Sequence, residues 1–369
     1  MTGSGTALAM VLTGPRTLEP RRLPLPEIGA DEGLLRVEAC GLCGTDHELY
    51  TGHIPAPRPI VPGHETVGVI ERLGERAAQR WGVREGDRVA VECFQSCREC
   101  AACRAGLYRR CERHGTRSLY GMTPAEVAPG LWGGYAEYHY LSPDSMLLPV
   151  PASLDPVDAT LFNPVGAGLR WGADLPETGP GDTVAVLGPG IRGLAAVAAA
   201  REAGAERILI TGFGERDHPR LEAALAFGAD ATVDVATDDP VAAIRALTGG
   251  AGASVVVDVT ANAPAALGQA VRMAAQGGRI VVAGVRNSDE TPGFRPDAIT
   301  FKELSIIGAL GVDAPVYQRA LDLLASDRYP FRNVSRRVER LEDAGELLAT
   351  MAGETDAVPP VHAVIAPGG

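Results

Sequence analysis

The sequence lacks a long apolar segment and any excess of positive charge. Its longest aliphatic stretches, such as Leu194–Ala200, are far too short to cross a bilayer. The first residues, MTGSGTALAMVLTGPR, contain no basic segment followed by a long apolar core, so we expect no signal peptide. A formal net charge of −12 argues against nucleic acid or an anionic membrane as the main partner. These absences predict a cytoplasmic protein without membrane or nucleic-acid partners.

Repeats, low-complexity tracts and linkers are also missing. The 369 residues suffice for about two domains, each with its own core. Charged residues make up 22% of the chain and hydrophobic residues 46%, as in ordinary globular proteins. The sequence therefore predicts a soluble protein of two domains, and an enzyme is the class that the motifs below favour.

Four cysteines lie within fifteen residues, in the spacing C-x2-C-x2-C-x7-C. They are Cys97, Cys100, Cys103 and Cys111. Four thiolates on short loops can surround one tetrahedral zinc ion. Arginines in and just beyond the segment are expected to favour the thiolate form. Two disulfides are the alternative, but disulfides belong to oxidising compartments and small secreted chains. We therefore predict a structural zinc site in a lobe at about residues 93–117.

The pattern of predicted strands and helices changes near Pro151. Before it, short β-branched runs such as LLRVEA, ETVGVIERLG and YAEYHYL alternate with turn residues, which indicates a β domain of barrel type. After it, apolar strands such as DTVAVLG, RILIT and GRIVVAG alternate with helical stretches. That alternation is typical of a doubly wound parallel sheet. The predicted fold class is thus α/β with an additional barrel-type domain.

A glycine motif follows the first strand of the second region. It comprises Gly188, Pro189, Gly190, Ile191, Arg192 and Gly193. Strand before and helix after are the context that a dinucleotide fingerprint requires. The glycines allow a tight turn and a close approach of the diphosphate to the helix N-terminus. The motif predicts NAD or NADP as cofactor.

The choice between these cofactors depends on the end of the second strand. No carboxylate follows Thr211-Gly212 at the position expected for binding the ribose of NAD. We predict a loop over residues 213–220 instead, in which Arg216 and Arg220 could pair with a 2′-phosphate. Glu215 or Asp217 could still reach the ribose. The sequence leaves both cofactors open and slightly favours NADP.

A second metal constellation lies in the first region. Cys43 is followed by Thr45 and Asp46, and His64 by Glu65, each group in a glycine-flanked loop. A cysteine, a histidine, one further protein ligand and a water suit a catalytic zinc ion. The other histidines and the cysteines Cys40 and Cys93 fit core or surface positions.

These motifs, in this order, resemble the zinc-dependent medium-chain alcohol dehydrogenases, including their threonine and polyol dehydrogenase branches. The resemblance covers VEACGLCGTD, PIVPGHETVGVIERLG, the four-cysteine segment, VAVLGPGIRGLAAVAAAREAG and FKELSIIGALG, from about Ala7 to Ala366. It implies a GroES-like catalytic domain over residues 1–164, a Rossmann domain over 165–310, and a return of the chain to the catalytic domain over 311–369. It also implies a homodimer or homotetramer, paired through the strand that contains Ile306 and Ile307.

The resemblance also implies roles for single residues. Cys43 and His64 match the catalytic zinc ligands, Glu65 the adjacent acid, and Thr45 the hydroxyl that receives the substrate proton. The third ligand is usually Cys, Asp or Glu, whereas this chain has Asn163, whose neutral amide oxygen is a weaker ligand for Zn²⁺. Either Asn163 binds the zinc ion weakly, or Glu65 takes the third position, or the catalytic zinc ion is loosely held. The family commonly has a histidine five residues after the catalytic cysteine, whereas this chain has Glu48, with His47 before it. The proton exit is left open between His47, Glu48 and water.

The implied activity is hydride transfer between an alcohol, of the secondary type, and NAD(P), giving a ketone or aldehyde, or the reverse. The cofactor-binding residues expected on this basis are Gly188, Gly190, Ile191, Arg192, Gly193, Gly212, Arg216 and Arg220. Two alternatives share parts of the pattern: a zinc-free quinone or enoyl reductase, and a non-catalytic nucleotide-binding scaffold. The substrate itself cannot be read from the sequence.

Overall fold

The computed structural model describes residues 5–55, 58–286, 288 and 290–368. The outermost residues of the predicted segments 1–164 and 311–369 therefore lie outside the described part. The strands are β1 Thr6–Gly14, β2 Thr17–Pro24, β3 Gly33–Leu42, β4 Glu65–Leu73, β5 Arg88–Val91, β6 Tyr138–Leu141, β7 Leu147–Pro149, β8 Thr183–Leu187, β9 Arg207–Gly212, β10 Ala231–Asp234, β11 Ala253–Asp258, β12 Ala274–Val282, β13 Ser305–Gly308, β14 Arg336–Glu339 and β15 His362–Ile365.

Helices connect many of these strands. They are α1 Gly44–Thr51, α2 Glu75–Trp81, α3 Ala101–Arg104, α4 Pro156–Ala159, α5 Phe162–Leu169, α6 Ile191–Glu202, α7 Gly214–Ala226, α8 Pro240–Leu247, α9 Ala266–Met273, α10 Asp297–Phe301, α11 Ala314–Ala325 and α12 Ala344–Met351. Among the described residues, none of the helices combines the length and the apolar character that spanning a membrane requires.

The chain forms two compact units. The first comprises Met1–Phe162, Asp313–Ser326 and Ser335–Gly369, and the second Asn163–Val312 and Asp327–Val334. The first unit is therefore assembled from segments that lie far apart in the sequence.

The first unit is built on a sheet of seven strands. Its order is β14-β15-β3-β4-β5-β7, and β6 also pairs with β3. The pairs are antiparallel except for β14 with β15. Side chains such as Leu35, Val89 and Ile365 are fully buried in its core. Strand β15 pairs with the end of β3, so the C-terminal segment supports the strand that leads into Cys43.

The second unit contains a six-stranded parallel sheet of order β10-β9-β8-β11-β12-β13. This is the order 3-2-1-4-5-6 of the Rossmann fold, whose ligands bind at the carboxyl ends of the strands where the order reverses. Ala185, Leu209, Val256 and Ile280 are buried in its core. The predicted α/β fold class, with a parallel doubly wound sheet beside a β-rich unit, is confirmed.

One local prediction is wrong. Residues 214–220 are not a loop, because helix α7 begins at Gly214. The carboxylate of Asp217 accepts a hydrogen bond from the backbone N–H of Phe213 at 2.9 Å and so satisfies one of the open donors at the helix start. Pro219 is the sixth residue of this helix, and because proline has no N–H, the carbonyl oxygen of Glu215 receives no backbone hydrogen bond from it.

Candidate active site and metal sites

Two neighbouring strands bring the candidate catalytic residues together. Cys43 directly follows β3, and His64 directly precedes β4, and these strands pair with Gly41 opposite Glu65. The ligand atoms of Cys43, His64 and Glu65 all lie within 4.8 Å of one another. Cys43 Sγ is 3.0 Å from His64 Nε2. The register of one antiparallel pair thus unites residues that are twenty-two positions apart.

Glycine at position 41 is required for this arrangement. A Cβ atom there would lie 2.5 Å from Glu65 Oε2, so any larger residue would displace the carboxylate. Glu65 is buried, with 3% of its surface exposed. The local sequence therefore leaves room for an acid at the centre of the cluster.

Asp46 supports the cluster from helix α1. Its carboxylate accepts the N–H of Cys43 at 2.9 Å and lies 3.4 Å from His64 Nδ1. Because Nδ1 faces Asp46, Nε2 is the nitrogen directed at Cys43, which is the usual arrangement of carboxylate, histidine and metal. The N–H of Thr45 donates to Cys43 Sγ at 3.2 Å and stabilises the thiolate.

The electrostatics of the cluster favour a positive charge at its centre. Burial alone would lower the pKa of His64, but Cys43 and Asp46 together raise it well above its usual value. Burial would likewise raise the pKa of Asp46, yet the interaction with His64 lowers it. A thiolate, a carboxylate and an imidazole are the ligands that zinc prefers. The residues present therefore fit a catalytic zinc ion, for which Cys43, His64 and Glu65 would be the ligands.

The four cysteines of the predicted structural zinc lobe also lie together. The sulfurs of Cys97, Cys100, Cys103 and Cys111 lie within 4.8 Å of one another. The seven cysteines of the chain are free thiols, so the disulfide alternative finds no support. Four sulfurs at this separation, on the short helix α3 and its flanking turns, fit a tetrahedral zinc ion.

Backbone N–H groups stabilise these sulfurs. Cys97 Sγ accepts from the N–H of Cys100 at 3.4 Å, and Cys111 Sγ accepts from the N–H of His114 at 3.5 Å. Burial alone would raise the pKa of Cys111, but hydrogen bonds involving His114, Cys97 and Arg113 lower it to about 6. Burial raises the pKa of Cys103 to about 11. A bound cation would compensate for that penalty.

Two arginines of the lobe, Arg98 and Arg109, also hold it to the rest of its unit. Arg98 interacts electrostatically with Cys97 and Cys103, but its hydrogen bonds go to the carbonyl oxygens of residues 96, 143 and 145. Arg109 forms a bidentate pair with Asp313, at 2.9 and 3.1 Å. These side chains fasten the lobe to the rest of its unit, because planar guanidinium groups satisfy several oxygens at once.

The glycine motif adopts the expected turn. Gly188 has a φ of 102°, and a Cβ at Gly193 would overlap the carbonyl oxygen of Gly188. Gly190 is the residue before α6, and a Cβ there would meet no atom within 4 Å. Helix α6 therefore starts directly beneath an open glycine turn, as a diphosphate site requires.

Several charged groups surround the end of β9. Gly212 pairs with Asp234, whose carboxylate accepts the N–H of Gly214 at 2.8 Å and lies 2.7 Å from His218 Nε2. Arg220 is held by Asp217 at 3.2 Å. The side chain of Arg216 is 67% exposed. Asp217 and Asp234 thus accept hydrogen bonds from protein donors, whereas Glu215 and Arg216 are exposed.

Family models match both parts of the chain. A model described as alcohol dehydrogenase GroES-like domain matches residues 29–152, and one described as zinc-binding dehydrogenase matches residues 193–326. The chain belongs to the zinc-binding alcohol dehydrogenase family. It is therefore an oxidoreductase of the medium-chain type, and the resemblance stated from its motifs is confirmed.

Three similar proteins illustrate the relationship. A Mycobacterium tuberculosis protein named "Probable alcohol dehydrogenase adh" is 61% identical over 368 residues, covering 100% of both chains. The sorbitol dehydrogenase of Bacillus subtilis is 32% identical and covers 93% of this chain and 96% of its own. A zinc-binding dehydrogenase structure from Sinorhizobium meliloti, bound to NADP, has a TM-score of 0.84 at 30% identity and covers 98% of this chain and 100% of its own.

Sequence reasoning did not anticipate two contacts. Glu48, which is buried, lies 3.0 Å from Nδ1 of His53, whose side chain is 61% exposed. Arg192 donates to Asn163 Oδ1 at 3.3 Å. Glu48 and His53 are five residues apart across the end of a helix, a separation at which a contact can be expected from the sequence. No local sequence pattern predicts the contact between Asn163 and Arg192.

Proposed function

We propose that this protein oxidises alcohols with NAD(P), or reduces the corresponding ketones and aldehydes, at the Cys43–His64–Glu65 cluster. The observation that supports this most is the convergence of thiolate, imidazole and carboxylate within 4.8 Å, with Asp46 behind the histidine. When bound there, zinc polarises the hydroxyl oxygen of an alcohol and lowers its pKa. The small-molecule partner is an alcohol or carbonyl compound. Relatives named sorbitol and threonine dehydrogenase support a secondary alcohol.

Thr45 is proposed to receive the proton of the substrate hydroxyl. It follows the ligand Cys43 by two residues at the start of α1 and is partly exposed. A hydroxyl can accept one proton while donating its own, so it passes charge onward without holding it.

The proton then leaves through Glu48 and His53. Glu48 is 7% exposed, and its contact with His53 joins a buried carboxylate to a ring in solvent. His47 is a weaker candidate, because its Nδ1 lies 3.9 Å from Glu48 and burial lowers its pKa. Replacing His53 by Gln should slow turnover most at low buffer concentration, and added imidazole buffer should restore it.

NADP is the proposed cofactor. Asp217 and Asp234 already accept hydrogen bonds from protein donors, whereas the exposed Glu215 keeps NAD as the alternative. Arg216, being exposed at the strand end, suits a 2′-phosphate. The expected residues of the glycine motif, with Gly212 beside them, would hold the remainder of the dinucleotide.

The chain is proposed to form homodimers or homotetramers through β13. Strand β13 is an edge strand of the parallel sheet, and its residue Ile306 is 37% exposed. An open apolar sheet edge invites pairing with another strand, and a two-fold copy closes such a contact. Because its cysteines are free thiols, a reducing, cytoplasmic location is proposed as well.

A substrate panel with metal analysis tests the main proposal. Secondary alcohols and ketones are assayed with both cofactors, and kcat/KM with NADP should exceed that with NAD. The purified protein should contain two zinc ions per chain. One zinc would favour the reductase or scaffold alternatives, and none would contradict the four-cysteine site.

Replacing His64 by Ala is the decisive variant. It should abolish turnover, because one of three ligands is lost, and leave dinucleotide affinity unchanged. The zinc content should fall from two to one. Near-normal rates in this variant would contradict the proposed mechanism.

A further inference from the structure

The sequence resemblance implies a third zinc ligand at position 163, but the side chain of Asn163 has another partner. The guanidinium of Arg192 donates to Asn163 Oδ1 at 3.3 Å, and both residues belong to the second unit. Arginine carries only donors, so the amide atom facing it is the oxygen. The one atom of Asn163 that could ligate zinc therefore already accepts from a cation.

This contact makes Asn163 a poor metal ligand. Zinc prefers imidazole, thiolate and carboxylate to a neutral amide. Asn163 is 7% exposed, so water screens little of the repulsion between a guanidinium and a metal ion on the same oxygen. Cys43, His64 and Glu65 already provide the three protein ligands that a catalytic zinc site needs. The donor chemistry at position 163 thus does not fit the family role.

The position of Arg192 suggests a function for its contact with Asn163. It is the second residue of α6, a helix of 12 residues, and it lies inside the glycine motif. A cation held at this helix start adds its charge to the backbone N–H groups that face a diphosphate. A long arginine side chain is effective there only if its orientation is fixed, because ordering it on binding costs conformational entropy.

We propose that Asn163 is a positioning residue, not a zinc ligand, and that it orients Arg192 for the negatively charged dinucleotide. The inference rests on the proposed cofactor use. Asn163 then serves cofactor binding in place of metal binding. Substitutions of Asn163 or Arg192 should therefore change the affinity for the cofactor and leave zinc retention unchanged.

Three variants of the zinc-loaded enzyme test this coupling: Asn163→Ala, Arg192→Gln and the double variant. The readouts are the Kd of NADPH from its fluorescence and the zinc content after exposure to a chelator. Arg192→Gln should weaken NADPH binding about tenfold, which is the size expected for losing one charge-assisted hydrogen bond. Asn163→Ala should weaken it several-fold. The double variant should bind NADPH as tightly as Arg192→Gln does, because Asn163 is proposed to act only through Arg192.

Zinc retention should equal that of the wild type in all three variants. Faster loss of one zinc from Asn163→Ala, with unchanged NADPH affinity, would show that Asn163 is a ligand and would overturn the inference. Additive effects on affinity would also overturn it. Arg192→Lys, which keeps the charge but not the planar group, should recover only part of the affinity.

Neither readout uses turnover. If the wild type oxidises no alcohol but the variants behave as expected, the proposed function fails and the role of Asn163 stands. If turnover is normal and affinity is insensitive to Arg192, the role of Asn163 fails alone. Should Asn163→Ala not fold, the Arg192 variants still decide whether this arginine binds the cofactor.

Discussion

Glu92 offers a quantitative test of how burial affects the first unit. It follows β5 directly and has no exposed surface. Its carboxylate accepts from the N–H of Phe94 at 3.0 Å and from the hydroxyl of Tyr108 at 2.8 Å. Burial raises the pKa of Glu92 to about 7, against these hydrogen bonds, and the charge of Asp313 adds to the rise. The ionised form is therefore disfavoured in the folded chain.

The sign of the pH effect follows from this. An acid whose pKa rises on folding contributes stability that is fully present below its unfolded pKa of 4.5 and is lost as the pH rises through about 7. The difference corresponds to about 3 kcal/mol. Replacing Glu92 by Gln should match the neutral acid at pH 4.5 and gain about 3 kcal/mol over the wild type at pH 8. For a unit of this size that is roughly 6 to 12 °C in Tm.

Thermal unfolding of both proteins between pH 4.5 and 8, at fixed zinc concentration, provides the measurement. Loss of zinc at low pH affects both proteins alike and cancels in the difference between their Tm values. A Tm difference that does not change with pH would refute the reasoning. A difference of the opposite sign, with the wild type gaining at high pH, would show that the hydrogen bonds from Phe94 and Tyr108 outweigh burial.

Two further predictions concern the zinc lobe and the assembly. Cys100→Ser should remove one zinc ion and lower stability by several kcal/mol, because a structural site contributes folding free energy directly; unchanged zinc content and Tm would contradict it. Ile306→Lys should shift the assembly toward monomer in light scattering, whereas Val358→Lys, at a 76% exposed position in the other unit, should not. A wild type that is monomeric at micromolar concentration would end the proposal of pairing through β13.

The sequence was sufficient for the features that local patterns encode. Alternation of apolar strands and helices predicted the parallel sheet, since each βαβ unit carries its own period and turn residues. The spacing of Cys97, Cys100, Cys103 and Cys111 predicted a cluster because a short loop cannot separate its ligands. The motif from Gly188 to Gly193 predicted its own turn, since steric overlap at Gly193 excludes any side chain.

The tertiary structure decided the contacts between distant segments. The pairing of β3 with β4 brought Cys43 to His64, and the distance between them depends on a register that sequence spacing does not set. The first unit closes only when residues 313–326 and 335–369 return to it. Whether an acid near a strand end stays open for a ribose depends on its neighbours, as Asp217 and Asp234 show.

Asn163 shows most clearly what could not be predicted from the sequence. The sequence marks it as a departure from the family pattern, and that pattern suggested a weak metal ligand. Its contact with Arg192 joins residues twenty-nine positions apart through two helices, α5 and α6. Amino-acid identity fixes which atoms can donate or accept, but only the packing of those helices determines which partner an amide oxygen meets.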